Sequence, residues 1–202
     1  MTSSETIVSL FSIALVAMIT PGANNLVVFT VSIGAAPKKT AKACGGIIVG
    51  TICLTVVCWF GAAPVLYAMP SLQLVIVGLG CAYLVWGGTS LVLNAWRQSA
   101  GAGPTLPSSF WGLAVFQVTN PKAWVLCVSA AALMRGDRSD VLGLIVLATI
   151  FGIASALSLA VWAGAGRLLP GARTEGDAPP WVKAVLGLAL IGTSVSLAFS
   201  AL

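Results

Sequence analysis

The sequence predicts an all-α integral membrane protein: six transmembrane helices forming two inverted three-helix repeats, with helices one and four broken. Three observations carry this expectation. The 202 residues include only ten Lys/Arg and five Asp/Glu, and 58% are apolar. A soluble domain is about a quarter charged, and 7% here is too little to face water. The apolar residues fall into six runs of the length a spanning helix needs, about 20 residues. Proline interrupts the first and fourth runs at Pro21 and Pro121, 100 residues apart.

The six runs are Ile7–Thr30, Ala43–Ala63, Leu72–Leu93, Phe110–Leu133, Val141–Ala165 and Trp181–Leu202. Barrel strands would be about ten residues long and alternating, so the runs read as helices. No basic residue precedes Lys38. A cleaved signal would need a positive N-terminal region, so the first run reads as a retained span. The breaks between runs are basic (Gly34–Lys42), uncharged (Pro64–Ser71), flexible and polar (Arg97–Ser109), mixed (Arg135–Asp140) and Pro/Gly-rich (Arg167–Pro180). Loops one, three and five and their edges hold Lys38, Lys39, Lys42, Arg97, Arg167, Arg173 and Lys183, against Arg135 and Arg138 in the even loops. The positive-inside rule then places the odd loops in the cytoplasm and both termini outside, in a cell inner membrane. Trp59, Tyr67, Trp96, Trp111, Trp162 and Trp181 lie near run ends and suit interfacial belts.

The chain reads as one transmembrane domain, 1–202. Repeat one covers about 1–98, a linker about 99–109, and repeat two about 110–202. Three spans per half invert the second half in the membrane, as in many transporters. Thr and Asn are good N-caps and Pro suits the first helical position. Thr20-Pro21 and Asn120-Pro121 therefore read as half-helix starts inside apolar spans. Each start would expose amide groups and a positive dipole end near the midplane, suited to a carboxylate. Asn24 and Asn25 lie within a turn of the first break and are expected to line a cavity with Thr20, Pro21 and Gly22. Lys122 is the one charge deep within a run. A Lys at the bilayer centre costs roughly 2.5–3.5 kcal/mol on insertion scales. No Asp or Glu lies in the runs, which leaves backbone carbonyls or a substrate carboxylate as its partner. Gly46 and Gly50 form a G-x-x-x-G pair, and Gly80 lies in a similar cluster. These read as close helix packing. Gln117 is a further polar group within a run, open between cavity lining and a bond between helices.

At these residues the chain resembles the LysE/RhtB family of small amino-acid exporters. The Pro-Gly-Pro-Asn-like motif of the first span stands here as Pro21-Gly22-Ala23-Asn24. A basic loop leads into Gly45-Gly46 and Gly50. Gly80-Cys81-Ala82-Tyr83-Leu84 with Gly87-Gly88 is similar to the third-span pattern, and Asn120-Pro121-Lys122 to the fourth. The resemblance covers essentially the whole chain. It implies export of amino acids or related metabolites by alternating access, with Thr20, Pro21, Gly22, Asn24, Asn25, Asn120, Pro121 and Lys122 as the binding residues. Three departures bear on this: Ala23 replaces the second Pro, Thr51 stands where many relatives carry an acid, and the late fourth-span proline is missing. Without an intramembrane acid, the expected substrate is a neutral amino acid or related carboxylate rather than a cation.

The chain has no histidine, which excludes Ser-His-Asp catalysis, His metal ligands and His relays. The five cysteines form no C-x-x-C pair and read as small buried hydrophobes. The expected protein is no enzyme and uses no cofactor or metal. Its partners are the lipid bilayer and a small amino-acid-like substrate, not nucleic acid. Proton coupling and homo-oligomerisation stay open. The rival readings are a metal or inorganic-ion transporter, an intramembrane enzyme and a non-transporting structural subunit.

Overall fold

Proline fixes φ and lacks an N–H, so it suits the first position of a helix. Four helices here begin on it. The structure, a computed structural model, describes residues 4–62, 68–96, 109–135, 141–169 and 178–201. Helix α1 (Ser4–Ile19) and α2 (Ala23–Ser32) meet at a 60° bend. Helix α3 (Pro37–Val57) continues as a π-helical turn, Cys58–Ala62, and α4 is Pro70–Leu93. Helix α5 (Phe110–Phe116) ends in a 3-10 turn, Gln117–Thr119, before α6 (Pro121–Arg135). Helices α7 (Val141–Arg167) and α8 (Pro180–Ala201) complete the described elements, and no strand occurs among the described residues. At Gly34 the backbone adopts φ 64 just beyond α2, a left-handed position where glycine carries no Cβ penalty.

Helix ends fall within three residues of those the sequence predicts, with one exception. Helix α3 starts at Pro37, not Ala43, because Pro at the first position lets the helix begin earlier. Lys38, Lys39 and Lys42 are therefore exposed residues of its first turns rather than of a loop. Among the described residues three helices are long and apolar enough to cross a membrane: Pro37–Gly61, Val141–Arg167 and Pro180–Phe199. The bent α1–α2 pair makes a fourth if taken as one span, and Val77–Leu93, Phe110–Thr119 and Pro121–Met134 are shorter apolar helices. Much of loops two to five lies outside the described residues, and so do Arg97, Arg138, Arg173, Tyr67 and most of the 99–109 linker.

Burial is arranged for an apolar solvent. Leu79, Leu133 and Phe199 are among many large apolar side chains that face outward, while Asn25, Thr51, Gln117, Asn120, Ser155 and Ser158 are buried. An exterior this apolar marks a membrane-embedded surface. Two apolar cores form inside. Leu54, Cys127, Phe151 and Ala154 belong to one, and Val27, Ile47, Leu113 and Leu159 to the other. Thr51 on α3 and Ser155 and Ser158 on α7 stand between the two sets along their helices. A polar layer thus separates the cores.

One tryptophan departs from the interfacial expectation. Trp59 is 1% exposed and sits in the first core; nearness to a run end says nothing of which face a residue occupies. Trp162 bonds the first helix break, described below. Cys53 is exposed, unlike Cys58, Cys81 and Cys127.

Helices α4 and α8 pack closely. A Cβ on Gly88 would meet the carbonyl of Gly187, and a Cβ on Gly187 would meet that of Gly88. Further along, Ser194 Oγ donates to the Cys81 carbonyl at 3.0 Å. The two contacts run in opposite chain directions, so the helices are antiparallel. Gly88→Val is expected to lower stability by about 1–3 kcal/mol through overpacking. Thermal unfolding of detergent-purified protein measures this. Gly78→Val, where a Cβ would meet nothing within 4 Å, should leave the midpoint nearly unchanged.

Candidate functional site: two helix breaks around one cavity

Pro21 has no N–H, so the Ala17 carbonyl lacks its usual partner one turn on. The bend then deprives the next carbonyls of theirs. In hydrocarbon each such group needs another donor. All five carbonyls from Ala17 to Pro21 have one. Thr20 Oγ1 turns back to the Ala17 carbonyl at 2.7 Å. Asn25 Nδ2 donates to the Met18 and Thr20 carbonyls, both at 2.8 Å. Ser158 Oγ adds a bond to the Met18 carbonyl at 2.9 Å, and Trp162 Nε1 one to the Ile19 carbonyl at 3.0 Å. Thr193 Oγ1 donates to the Pro21 carbonyl at 2.7 Å.

Lys122 completes the set from the other break. Its Nζ donates to the Thr20 carbonyl at 2.8 Å, Thr20 Oγ1 at 2.7 Å and the Pro21 carbonyl at 3.5 Å. Backbone carbonyls and a hydroxyl therefore hold the Lys122 charge. An ammonium has three N–H donors, and all three have acceptors here.

The start of α2 differs from the sequence expectation. It lies at Ala23, with Gly22 as an extended N-cap (φ -166, ψ 175) and no side-chain cap bond. Thr20 closes α1 instead of opening α2. The reason is the demand of α1's terminal carbonyls, which take the Thr20 hydroxyl, the Asn25 amide and the Lys122 ammonium. The first-turn amides of α2 are left without a side-chain acceptor. Gly22 lies beside Lys122: a Cβ there would stand 3.4 Å from Nζ.

The second break starts its helix where the sequence places it. Asn120 precedes Pro121, and its carbonyl accepts from Ala123 N at 3.1 Å and Trp124 N at 3.2 Å. Thr119 Oγ1 turns back to the Phe116 carbonyl at 3.0 Å, as Thr20 does in the first break. Trp124 Nε1 takes the Val118 carbonyl at 2.8 Å.

An amide network joins the breaks. Asn24 Nδ2 donates to Gln117 Oε1 at 3.1 Å, and Gln117 Nε2 returns a bond to Asn24 Oδ1 at 3.0 Å. Asn120 Nδ2 donates to Asn24 Oδ1 at 3.1 Å and Gln117 Oε1 at 3.5 Å. Gln117 is the hub, and it is 1% exposed.

Both breaks line one cavity of about 40 Å³. Gly22, Asn24 and Asn25 come from the first, Asn120 and Lys122 from the second, and Ser155 from α7. Phe151, Leu126 and Leu159 give it an apolar wall. Such a volume holds a few waters, not an amino acid. Thr20 bonds Lys122 at its edge, and Pro21 and Pro121 shape the breaks without lining it. Among the described residues no three His, Cys, Asp or Glu side chains gather as metal ligands. The packing glycines converge on α5, its 3-10 turn and α6. A Cβ would meet the Phe110 backbone at Gly46, the Ala114 carbonyl and Gln117 Cγ at Gly50, and the Pro121 ring at Gly80.

Sequence reasoning left Gln117 open and missed Ser158, Trp162, Thr193 and Ser155. Gln117 carried a usable signal, a second amide one turn before Asn120. Ser155, Ser158 and Thr193 carry none, because Ser and Thr in apolar helices commonly bond their own backbone.

An apolar exterior, a buried polar layer and two broken helices meeting at a cavity define a multi-pass helical membrane protein built around an internal polar site. The chain belongs to the LysE type translocator family, whose model matches residues 15–201. It is 35% identical over 127 residues to a leucine efflux protein of Enterobacter sp. (strain 638), a match covering 61% of this chain. That match spans 58% of the relative's own length, less than two thirds of it. An uncharacterized membrane protein of Pseudomonas aeruginosa is 28% identical over 149 residues, 69% of each chain. No solved structure matches the chain.

Proposed function

We propose that the protein exports neutral aliphatic amino acids across the inner membrane by alternating access. One observation carries the reading: the uncapped start of α2 lies beside Lys122 Nζ at a cavity with no acidic side chain among its described lining residues. Helix N-termini and ammonium groups favour a carboxylate. The apolar wall of Leu126, Phe151 and Leu159 suits an aliphatic side chain. The leucine efflux relative supports the same substrate class.

The substrate carboxylate docks on the first-turn amides of α2 and on Lys122, displacing the ammonium from the Thr20 and Pro21 carbonyls. The small cavity widens towards one side at a time. Two inverted repeats provide the two gates. Helix α3 packs on α5 as α7 packs on α1, a pairing that supports such symmetry. The odd loops face the cytoplasm and both termini face outward. Lys122 is the charge through which proton movement would couple to transport.

The test is leucine release from cells loaded with a leucine-containing dipeptide, with the chain expressed or absent. Faster release with the chain is expected. Pro21→Ala and Pro121→Ala should each slow it at equal protein level. Normal release in both variants would place the site elsewhere.

A further inference from the structure

The amide network leaves one buried polar atom unused. Asn120 is 4% exposed, and its Oδ1 has no hydrogen-bond partner. A buried amide oxygen without a partner is costly, and here it belongs to a residue that lines the cavity.

The orientation of this amide is fixed from a distance. Gln117 Nε2 also donates to the Leu113 carbonyl at 3.4 Å. Turning the Gln117 amide over would set its oxygen against that carbonyl. The Leu113 carbonyl thus makes Gln117 Nε2 the donor to Asn24 Oδ1. Asn24 Oδ1 then requires a donor from Asn120, which is Nδ2. Asn120 Oδ1 is the remainder of this chain of choices, an acceptor held in place and unspent.

We infer that Asn120 Oδ1 is the acceptor for the substrate's ammonium group and makes the site selective for α-amino acids over simple carboxylates. This rests on the proposed carboxylate site at α2 and Lys122. The ammonium and carboxylate of an α-amino acid sit on one carbon, so their sites must adjoin. Asn24, in the first turn of α2, bonds the Asn120 side chain, and Asn24, Asn120 and Lys122 line the same cavity. Ser155 and Asn25 line the same cavity and offer further oxygens to a three-donor ammonium. A neutral amide acceptor also fits a site without an acid.

The test measures apparent Kd from the concentration dependence of thermal stabilisation, using purified full-length protein. The probes are leucine, isocaproate (leucine without the amino group) and isoamylamine (leucine without the carboxylate). The wild type should favour leucine over isocaproate by about tenfold or more, as expected for a hydrogen bond to a charged group. Asn120→Leu should lose that preference while still favouring leucine over isoamylamine. Asn120→Asp keeps an acceptor and a good N-cap residue, and should keep the preference. An undiminished preference in Asn120→Leu, or equal loss in both variants, overturns the inference and leaves the carboxylate site standing. A wild type stabilised by none of the probes overturns the transport reading and this one with it.

Discussion

Lys122→Met is expected to reduce leucine release by tenfold or more while the protein still reaches the membrane. Its ammonium is held by the Thr20 carbonyl, Thr20 Oγ1 and the Pro21 carbonyl. Removing it takes a donor from the first break and the only charge among the described residues lining the cavity. A hydrogen bond to a charged group contributes about 1.5–3 kcal/mol, so losing one between carboxylate and ammonium costs roughly ten- to a hundredfold in affinity. The Thr20 carbonyl keeps Asn25 Nδ2, and the Pro21 carbonyl keeps Thr193 Oγ1. The break should therefore survive structurally, and the defect should lie in transport. Lys122→Arg keeps the charge but places a planar fork where a compact ammonium meets three oxygens; intermediate release is expected. Release assays at matched membrane levels distinguish these outcomes. Wild-type rates in both variants would remove Lys122 from the mechanism.

Gln117→Leu is expected to act on the fold first. Gln117 gives and takes a bond with Asn24, and its Oε1 also lies near Asn120 Nδ2. Leucine would leave Asn24 Nδ2 without its partner and free the Asn24 amide to turn. A buried polar group left unsatisfied costs about 1–3 kcal/mol. The expected result is a thermal midpoint several degrees lower, measured on purified protein. Substrate selectivity should weaken as well, because the orientation of Asn120 is no longer imposed. Gln117→Glu can still accept from Asn24 Nδ2 but cannot donate back, and should fall between the two. A Gln117→Leu protein as stable and selective as the wild type would deny the network its role.

The sequence made some parts of this site legible for identifiable reasons. A proline inside an apolar run cannot complete the helix ladder, so Pro21 and Pro121 mark breaks wherever the run folds. A lysine amid apolar residues needs a partner, so Lys122 draws notice without any structure. Neither signal names the partner. Lys122 reaches across 102 positions to Thr20, and Ser158 across 140 to Met18. In both cases the acceptor is a backbone carbonyl, which every residue has. The start of α2 at Ala23 was illegible for a related reason. Thr20 is as good a residue for closing α1 as for opening α2, and only the demand of α1's freed carbonyls decides between them. Trp59 shows the same limit in the packing, since its place near a run end did not reveal the inward face it occupies. The helices themselves were legible to within three residues except at α3, where Pro37 permits an earlier start than the apolar run suggests.

The central claim is that the cavity between the two breaks carries a neutral aliphatic amino acid. Leucine counterflow in proteoliposomes holding only the purified chain tests it most directly. Vesicles loaded with unlabelled leucine should accumulate labelled leucine transiently above equilibrium, and vesicles loaded with lysine should not. No accumulation, or equal accumulation with lysine inside, would contradict it.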